Sequence, residues 1–307
     1  VDLRHLNGEG PRIRKDRPSI PAPSARKFQD YREMLSELGD TIDAVSVSTP
    51  DHTHYAATLA AMERGKHVFT QKPLTNNIAE ARHLIKVTRE KELVTQMGIQ
   101  NKATEGYRLA TRLIREGVIG KVSKVYVWCF KDWGHDGAPY AGEDIIPDYL
   151  DWNLWLGTAP QRPFLEQKYH PGQWRRSLEF GCGTLGDMGV HIFDTPFESL
   201  GLEPPIWAKA TCRKPNNFSL PTKNIVRYGF KPTRMTTKDF QWTWFDGDHS
   251  PPQGPDMELP EGQNLPRQGA MLVGEEGRML LPHIAGPQLL PRSLYSKLKK
   301  PDMGPPV

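Results

Sequence analysis

Lys72, Asp187 and His191 are the side chains whose contexts suit proton and charge transfer. Lys72 stands in Gln71-Lys72-Pro73, directly after a β-rich run. Asp187 and His191 lie in Gly181-Cys182-Gly183-Thr184-Leu185-Gly186-Asp187-Met188-Gly189-Val190-His191. Removal of a proton from a hydroxyl group asks for such a set. The proton must pass to a base, and positive charge must steady the developing oxyanion. A lysine ammonium offers three donors. A histidine takes a proton near neutral pH. Asp187, four residues before His191, shares a helix face with it and can orient the ring or hold a second hydroxyl. The sequence leaves open whether the three meet in space. The plainer alternative is a solvated lysine and a surface Asp/His pair.

The elements around Lys72 make a site there expected. Ala44 to Ser48 reads as a strand that Thr49-Pro50-Asp51 stops, because proline has no N–H for a ladder. Tyr55 to Arg64 reads as a helix ended by Gly65. His67 to Thr70 reads as a second strand, closed by Pro73. Two strands joined through a helix form a parallel βαβ unit. Ligands of open parallel sheets bind beyond the carboxyl ends of the strands. Ser48, Thr49, Pro50 and His52 follow one strand; Gln71 and Lys72 follow the next. Ile78 to Lys91 reads as a helix capped by Asn76-Asn77, with Ile78, Ala81, Leu84, Ile85 and Val87 on its buried face. Leu93 to Met97 is a third strand, and Gln100 follows its end. Tyr31 to Leu38 is a short helix upstream. One of His52 and His54 is expected to buttress the turn by a backbone hydrogen bond.

Farther on, Thr104 to Glu116 has helical spacing, and Val122 to Phe130 has strand alternation through Val125, Val127 and Cys129. Aromatic loops follow, in which Trp152 and Trp155 read as core packing. Trp174-Arg175-Arg176 offers either a phosphate or hydroxyl contact or a surface salt bridge. A helix to Leu200 carries Asp187 and His191. Runs at 207–213, 225–230, 240–245, 270–273 and 278–281 lack intervening helices, so a mixed or antiparallel sheet is expected. The tail from Leu289 shows no clear element.

Composition bounds the rest. The chain has 307 residues, enough for two domains, and a net charge of only +4 from scattered basic residues. That pattern argues against a nucleic-acid surface. No apolar run is long enough to span a bilayer, so no membrane is expected as a partner. Three separated cysteines, Cys129, Cys182 and Cys212, form no disulfide framework. Cys182 reads as a buried inert thiol. A metal on Cys182, His170, Asp187 and His191 is conceivable by ligand type, but the spacing is not finger-like, so no metal is expected.

Thr49-Pro50-Asp51-His52-Thr53-His54, followed by Gly65-Lys66-His67-Val68-Phe69-Thr70-Gln71-Lys72-Pro73-Leu74, resembles the glucose–fructose oxidoreductase / inositol dehydrogenase (Gfo/Idh/MocA) family of NAD(P)-dependent sugar oxidoreductases. Gln71 stands where that family usually has glutamate. Asp151 to Gly157 resembles a segment of one branch. The resemblance implies a partial Rossmann-type parallel sheet domain over 1–102, then an open mixed or antiparallel sheet domain over 103–307 for substrate and oligomerisation: α/β plus α+β. It implies that Lys72, Asp187 and His191 are the catalytic set. It also implies NAD or NADP, a sugar or polyol substrate, and a homo-oligomer joined through the second sheet. By the same comparison the sequence is expected to start after the family's first strand, glycine turn and helix, and to stop short at its other end. Asp2 falls near the family's ribose-holding acid. Gly8-Glu9-Gly10 runs into prolines rather than a helix and reads as a loop, not a phosphate cradle. This chain is therefore expected to bind NAD(P) poorly or not at all. The expected compartment is the cytoplasm, with the periplasm as alternative. Two rival functions stand beside dehydrogenation: an NAD-dependent glycosidase working by transient oxidation and elimination, and a non-catalytic binding protein or remnant.

Overall fold

The computed structural model describes residues 25–304. Asp2 and the loop around Gly8-Glu9-Gly10 lie outside them. By its contacts the chain divides into two units, one formed up to Gly98 and by Gly137–Cys182, the other by Ile99–Asp136 and from Gly183 onward. The boundary expected at residue 102 would put 137–182 in the second domain. The contacts place that stretch in the first unit, because its aromatic core closes around His52.

In chain order the first unit opens with α1 (Tyr31–Leu38), β1 (Ala44–Val47), α2 (Asp51–Glu63), β2 (His67–Gln71), α3 (Ile78–Glu90) and β3 (Thr95–Gly98). The strands form one parallel sheet in the order β1-β2-β3, with Val45 opposite Val68 and Val68 opposite Thr95. Parallel strands need crossovers, and α2 and α3 supply them. Val47, Val68, Ala57, Ala61, Met62, Leu84 and Val87 fill the core beneath. The alanines let α2 lie close to the strands. This helix starts at Asp51, a turn earlier than its apolar pattern suggests: extended Pro50 caps it, and the Asp51 carboxylate suits a helix N-terminus. The expected face of α3 is corrected too. Leu84 and Val87 are buried, but Ile78 is 71% and Ile85 47% exposed, so the apolar stripe is narrower than the residue types suggest.

The second unit begins with α4 (Glu105–Arg115) and β4 (Val122–Cys129). The first unit then receives α5 (Trp152–Leu156), capped by the Asp151 side chain accepting from the Leu154 N–H at 2.8 Å. Trp152 and Trp155 stack at 4.8 Å and pack with Phe164, Tyr169 and Phe180, so both are core residues. The second unit resumes with α6 (Val190–Ser199), β5 (Trp207–Thr211), β6 (Ile225–Gly229), β7 (Thr236–Asp246), β8 (Gln268–Gly274), β9 (Arg278–Pro282) and β10 (Gln288–Leu290). They join β4 in a seven-stranded sheet of order β10-β9-β8-β4-β7-β6-β5, antiparallel except for the β4–β7 pair. The mixed sheet is as expected; β10, in the tail, was not. Val125, Val127, Trp242 and Trp244 join Tyr107, Leu113, Ile114 and Ile192 of α4 and α6 in the main core. The alternate residues Trp128, Phe245 and Met271 belong to another cluster, as strand alternation requires. Among the described residues no helix is long and apolar enough to cross a membrane.

Candidate functional site

In the first unit the turns after β1 and β2 are tied together by one side chain. His54, 1% exposed, places Nδ1 2.7 Å from the Pro73 carbonyl and Nε2 2.8 Å from the Thr49 carbonyl. It is the buttress expected of one of the two histidines. Burial holds its pKa below the usual histidine value, and the charges of Lys72 and Arg175 push the same way. Two cations thus act on one buried ring. Lys72 itself is half-buried at the end of β2.

Ser48, Thr49 and Pro50 line a cleft of about 670 Å³ in this unit, with Trp155, Trp174 and Arg175 on other walls. Arg175 lies 4.1 Å from the Trp174 ring centroid. The close approach of this segment depends on Gly181, where a Cβ would stand 2.5 Å from the Arg175 Cα. Asp30 and Tyr31 also line the cleft; their sequence signal was only that of a helix cap.

The expected cofactor residues do not all gather there. His52 does not line the cleft. Because α2 begins at Asp51, its first turn carries His52 inward between Trp155 and Phe180, where Nε2 meets the Trp155 carbonyl at 3.0 Å. Burial pushes its pKa down to about 4. It is a packing residue. Gln71 does not line the cleft either: its side chain fills the space that Gly98 leaves open on β3, 2.9 Å from where a Cβ would stand. Gln100 belongs to the second unit, in the exposed short turn Gln100–Ala103.

In the second unit the glycine-rich segment is built as a platform. Gly183 has φ +63°, a backbone conformation that favours glycine. Thr184 Oγ1 accepts the Trp133 N–H at 2.8 Å, fixing the segment to the chain leaving β4. Leu185–Gly189 then forms a π-type turn that runs directly into α6. Asp187 and His191 are thus not on the one plain helix expected of them; the wider turn is a departure, and such turns recur at functional sites. Both side chains are 5% exposed. Asp187 lies close enough to Cys129, at the end of β4, to help burial push that thiol up to about 11. Lys131 reaches Met188 Sδ at 3.1 Å.

The structure therefore places Asp187 and His191 in one unit and Ser48, Thr49, Pro50 and Lys72 in the other, where Lys72 does not line the cleft. Cys182 is half-buried, not buried as expected. Among the described residues no three His, Cys, Asp or Glu side chains are grouped to hold a metal ion. Asp246 escaped the sequence reading. It is wholly buried at the end of β7, accepts from the Asn224 N–H at 2.5 Å and Trp244 Nε1 at 2.8 Å, and burial lifts its pKa to about 6. Its only signal was a position between an aromatic strand and a glycine.

Two family models match the sequence in succession. One, an oxidoreductase family with an NAD-binding Rossmann fold, matches residues 15–99; the other, the C-terminal alpha/beta domain of the same family, matches residues 108–202. The chain is 25% identical over 189 residues to levoglucosan dehydrogenase of Pseudarthrobacter phenanthrenivorans, covering 59% of this chain and 40% of that protein. It is 30% identical over 179 residues to scyllo-inositol 2-dehydrogenase (NAD(+)) of Bacillus subtilis, covering 52% of this chain and 51% of that one. The chain thus spans about half, or less, of the curated relatives it matches. In fold it is similar to the WlbA dehydrogenase of Bordetella pertussis, solved with NADH and UDP-GlcNAcA. That likeness has a TM-score of 0.58 at 17% identity, covering 85% of this chain and 61% of that one.

Proposed function

The chain belongs to the Gfo/Idh/MocA oxidoreductase family, and on that premise we propose that it serves an NAD(P)-dependent oxidation or reduction at a secondary alcohol of a sugar or polyol. The observation that carries this reading is the burial of Asp187 and His191 one turn apart on a glycine-led platform. Burying two titratable groups is costly, and functional sites are where such groups cluster.

The first-unit cleft fits a nucleotide by the chemistry of its walls. Trp155 and Trp174 offer flat apolar faces, Ser48 and Thr49 hydroxyls, and Arg175 a guanidinium suited to phosphate oxygens. NAD or NADP, when bound, supplies the acceptor for the hydride. The chain's own residues do the rest. Ser48, Thr49 and Pro50 hold the ligand at the end of β1. His191 takes the hydroxyl proton, Asp187 fixes the ring or a neighbouring hydroxyl, and Lys72 donates to the oxygen as it gains charge. In the reverse direction His191 returns the proton. The same reading carries a homo-oligomer joined through the seven-stranded sheet, whose edge strand β5 is exposed along its length.

The test is incubation of the purified protein with NAD or NADP and a panel of inositols, aldoses and anhydrosugars, following reduced nicotinamide. Net reduction with at least one of them is expected. No reduction with any, alongside release of free sugar from aryl glycosides, would replace this reading with the elimination chemistry.

A further inference from the structure

His191 does not stand alone in its unit. Its ring lies 5.6 Å, centroid to centroid, from that of His283, tilted by 43°. His283 follows β9 directly, and three features hold it. Tyr107 of α4, 2% exposed, places its hydroxyl 3.0 Å from His283 Nδ1. Ile284 has φ +67°, a costly conformation for a β-branched residue, and its side chain is 67% exposed, so no burial of that side chain repays it. Gly106, next to Tyr107, lets α4 approach the same turn: a Cβ there would stand 2.9 Å from the Ala285 carbonyl oxygen.

From this geometry we infer that His283 is a positioning residue for His191, kept neutral and in one tautomer by Tyr107. It rests on the reading of His191 as proton acceptor. His283 Nδ1 is the acceptor that the structure gives the buried phenol O–H, so the phenol donates to Nδ1 and the His283 proton sits on Nε2. A neutral neighbour leaves His191 able to charge; a protonated one would oppose it. The strained turn, approached closely by α4 at Gly106, is what holds His283 beside Tyr107. The other titratable or charged groups on α6 or the elements packed against it include Asp187 before it, Asp194 and Glu198 along it, Cys129 from β4, Arg115 from α4, which pairs with Glu198, and Lys102, which pairs with Asp194 and Glu198. Strand β8, also packed on α6, carries none.

Nuclear magnetic resonance of the full chain with isotope-labelled imidazoles tests this without any substrate. In the wild type His283 is expected as the Nε2–H tautomer, uncharged while His191 titrates. In Tyr107→Phe, His283 becomes free to charge, and the His191 midpoint falls by about one pH unit. Adding His283→Gln to that variant restores the midpoint. A charged or Nδ1–H His283 in the wild type overturns the inference. So does an unmoved midpoint in Tyr107→Phe, or an equal fall in the double variant. Because the readout is independent of turnover, an active His191→Asn variant would remove the proton-acceptor reading and leave this coupling standing.

Discussion

Lys72 has a defined task only if an oxyanion forms beside it. Replacing it by alanine removes one electrostatic donor, a change that costs roughly a hundred- to a thousandfold in rate. The expected outcome for Lys72→Ala is that loss in kcat with an unchanged circular dichroism spectrum; near-normal turnover on a sugar that the parent oxidises would refute the assignment. His52 and His54 show the opposite use of similar residues. Both sit in Asp51-His52-Thr53-His54, both are buried, and both spend ring nitrogens on carbonyl oxygens. At this scale residue type was a weak guide. A histidine beside a strand end reads as a ligand contact until it is known where the helix begins, and one turn of α2 decides it.

At the scale of elements, the π-type turn at Leu185–Gly189 and the close approach at Gly181 do the positioning. Gly181→Ala would drive a methyl group into the Arg175 backbone, 2.5 Å from its Cα. Overpacking against backbone costs about 1–3 kcal/mol, so a lower melting temperature and a displaced Arg175 are expected. An alanine variant as stable as the parent would show that the 173–181 segment yields freely. The βαβ unit and the alternating strands were legible because burial of one face writes a period into the sequence. The motif around Asp187 was legible through its glycines. Three things were not. Strand β10 is too short to carry a period. The membership of residues 137–182 depends on which aromatic rings meet, not on order along the chain. The pairing of Tyr107 with His283 spans 176 positions and leaves no local mark.

For the whole molecule, acidity should act on the two units in opposite senses. His52 in the first has its pKa lowered from 6.5 to about 4, so the unfolded chain binds more protons between those values. Stability is present above pH 6.5 and is lost as pH falls toward 4, by on the order of 3 kcal/mol. Asp246 in the second has its pKa raised from 3.8 to about 6, so the folded chain binds more protons in that range. Stability there is gained as pH falls from 6 toward 3.8, by a similar order. Hydrogen exchange followed by mass spectrometry at pH 7.5 and pH 5, corrected for intrinsic rates, should show weaker protection in 51–63 and 152–180 at the lower pH. Protection in 224–246 should hold or rise. Uniform weakening of both regions would contradict these assignments.

The division of the chain carries one more consequence, for the order in which the polypeptide is made. The sequence passes between the units at Gly98, at Asp136 and again at Cys182. A ribosome working from the amino end therefore releases the βαβ layers well before the aromatic partners of His52 exist. Those layers must wait, with His52 uncovered, until the segment through Phe180 has emerged. Nor does a single cut in the gene yield either unit whole, so two coding segments would have to be spliced together to express the first one alone.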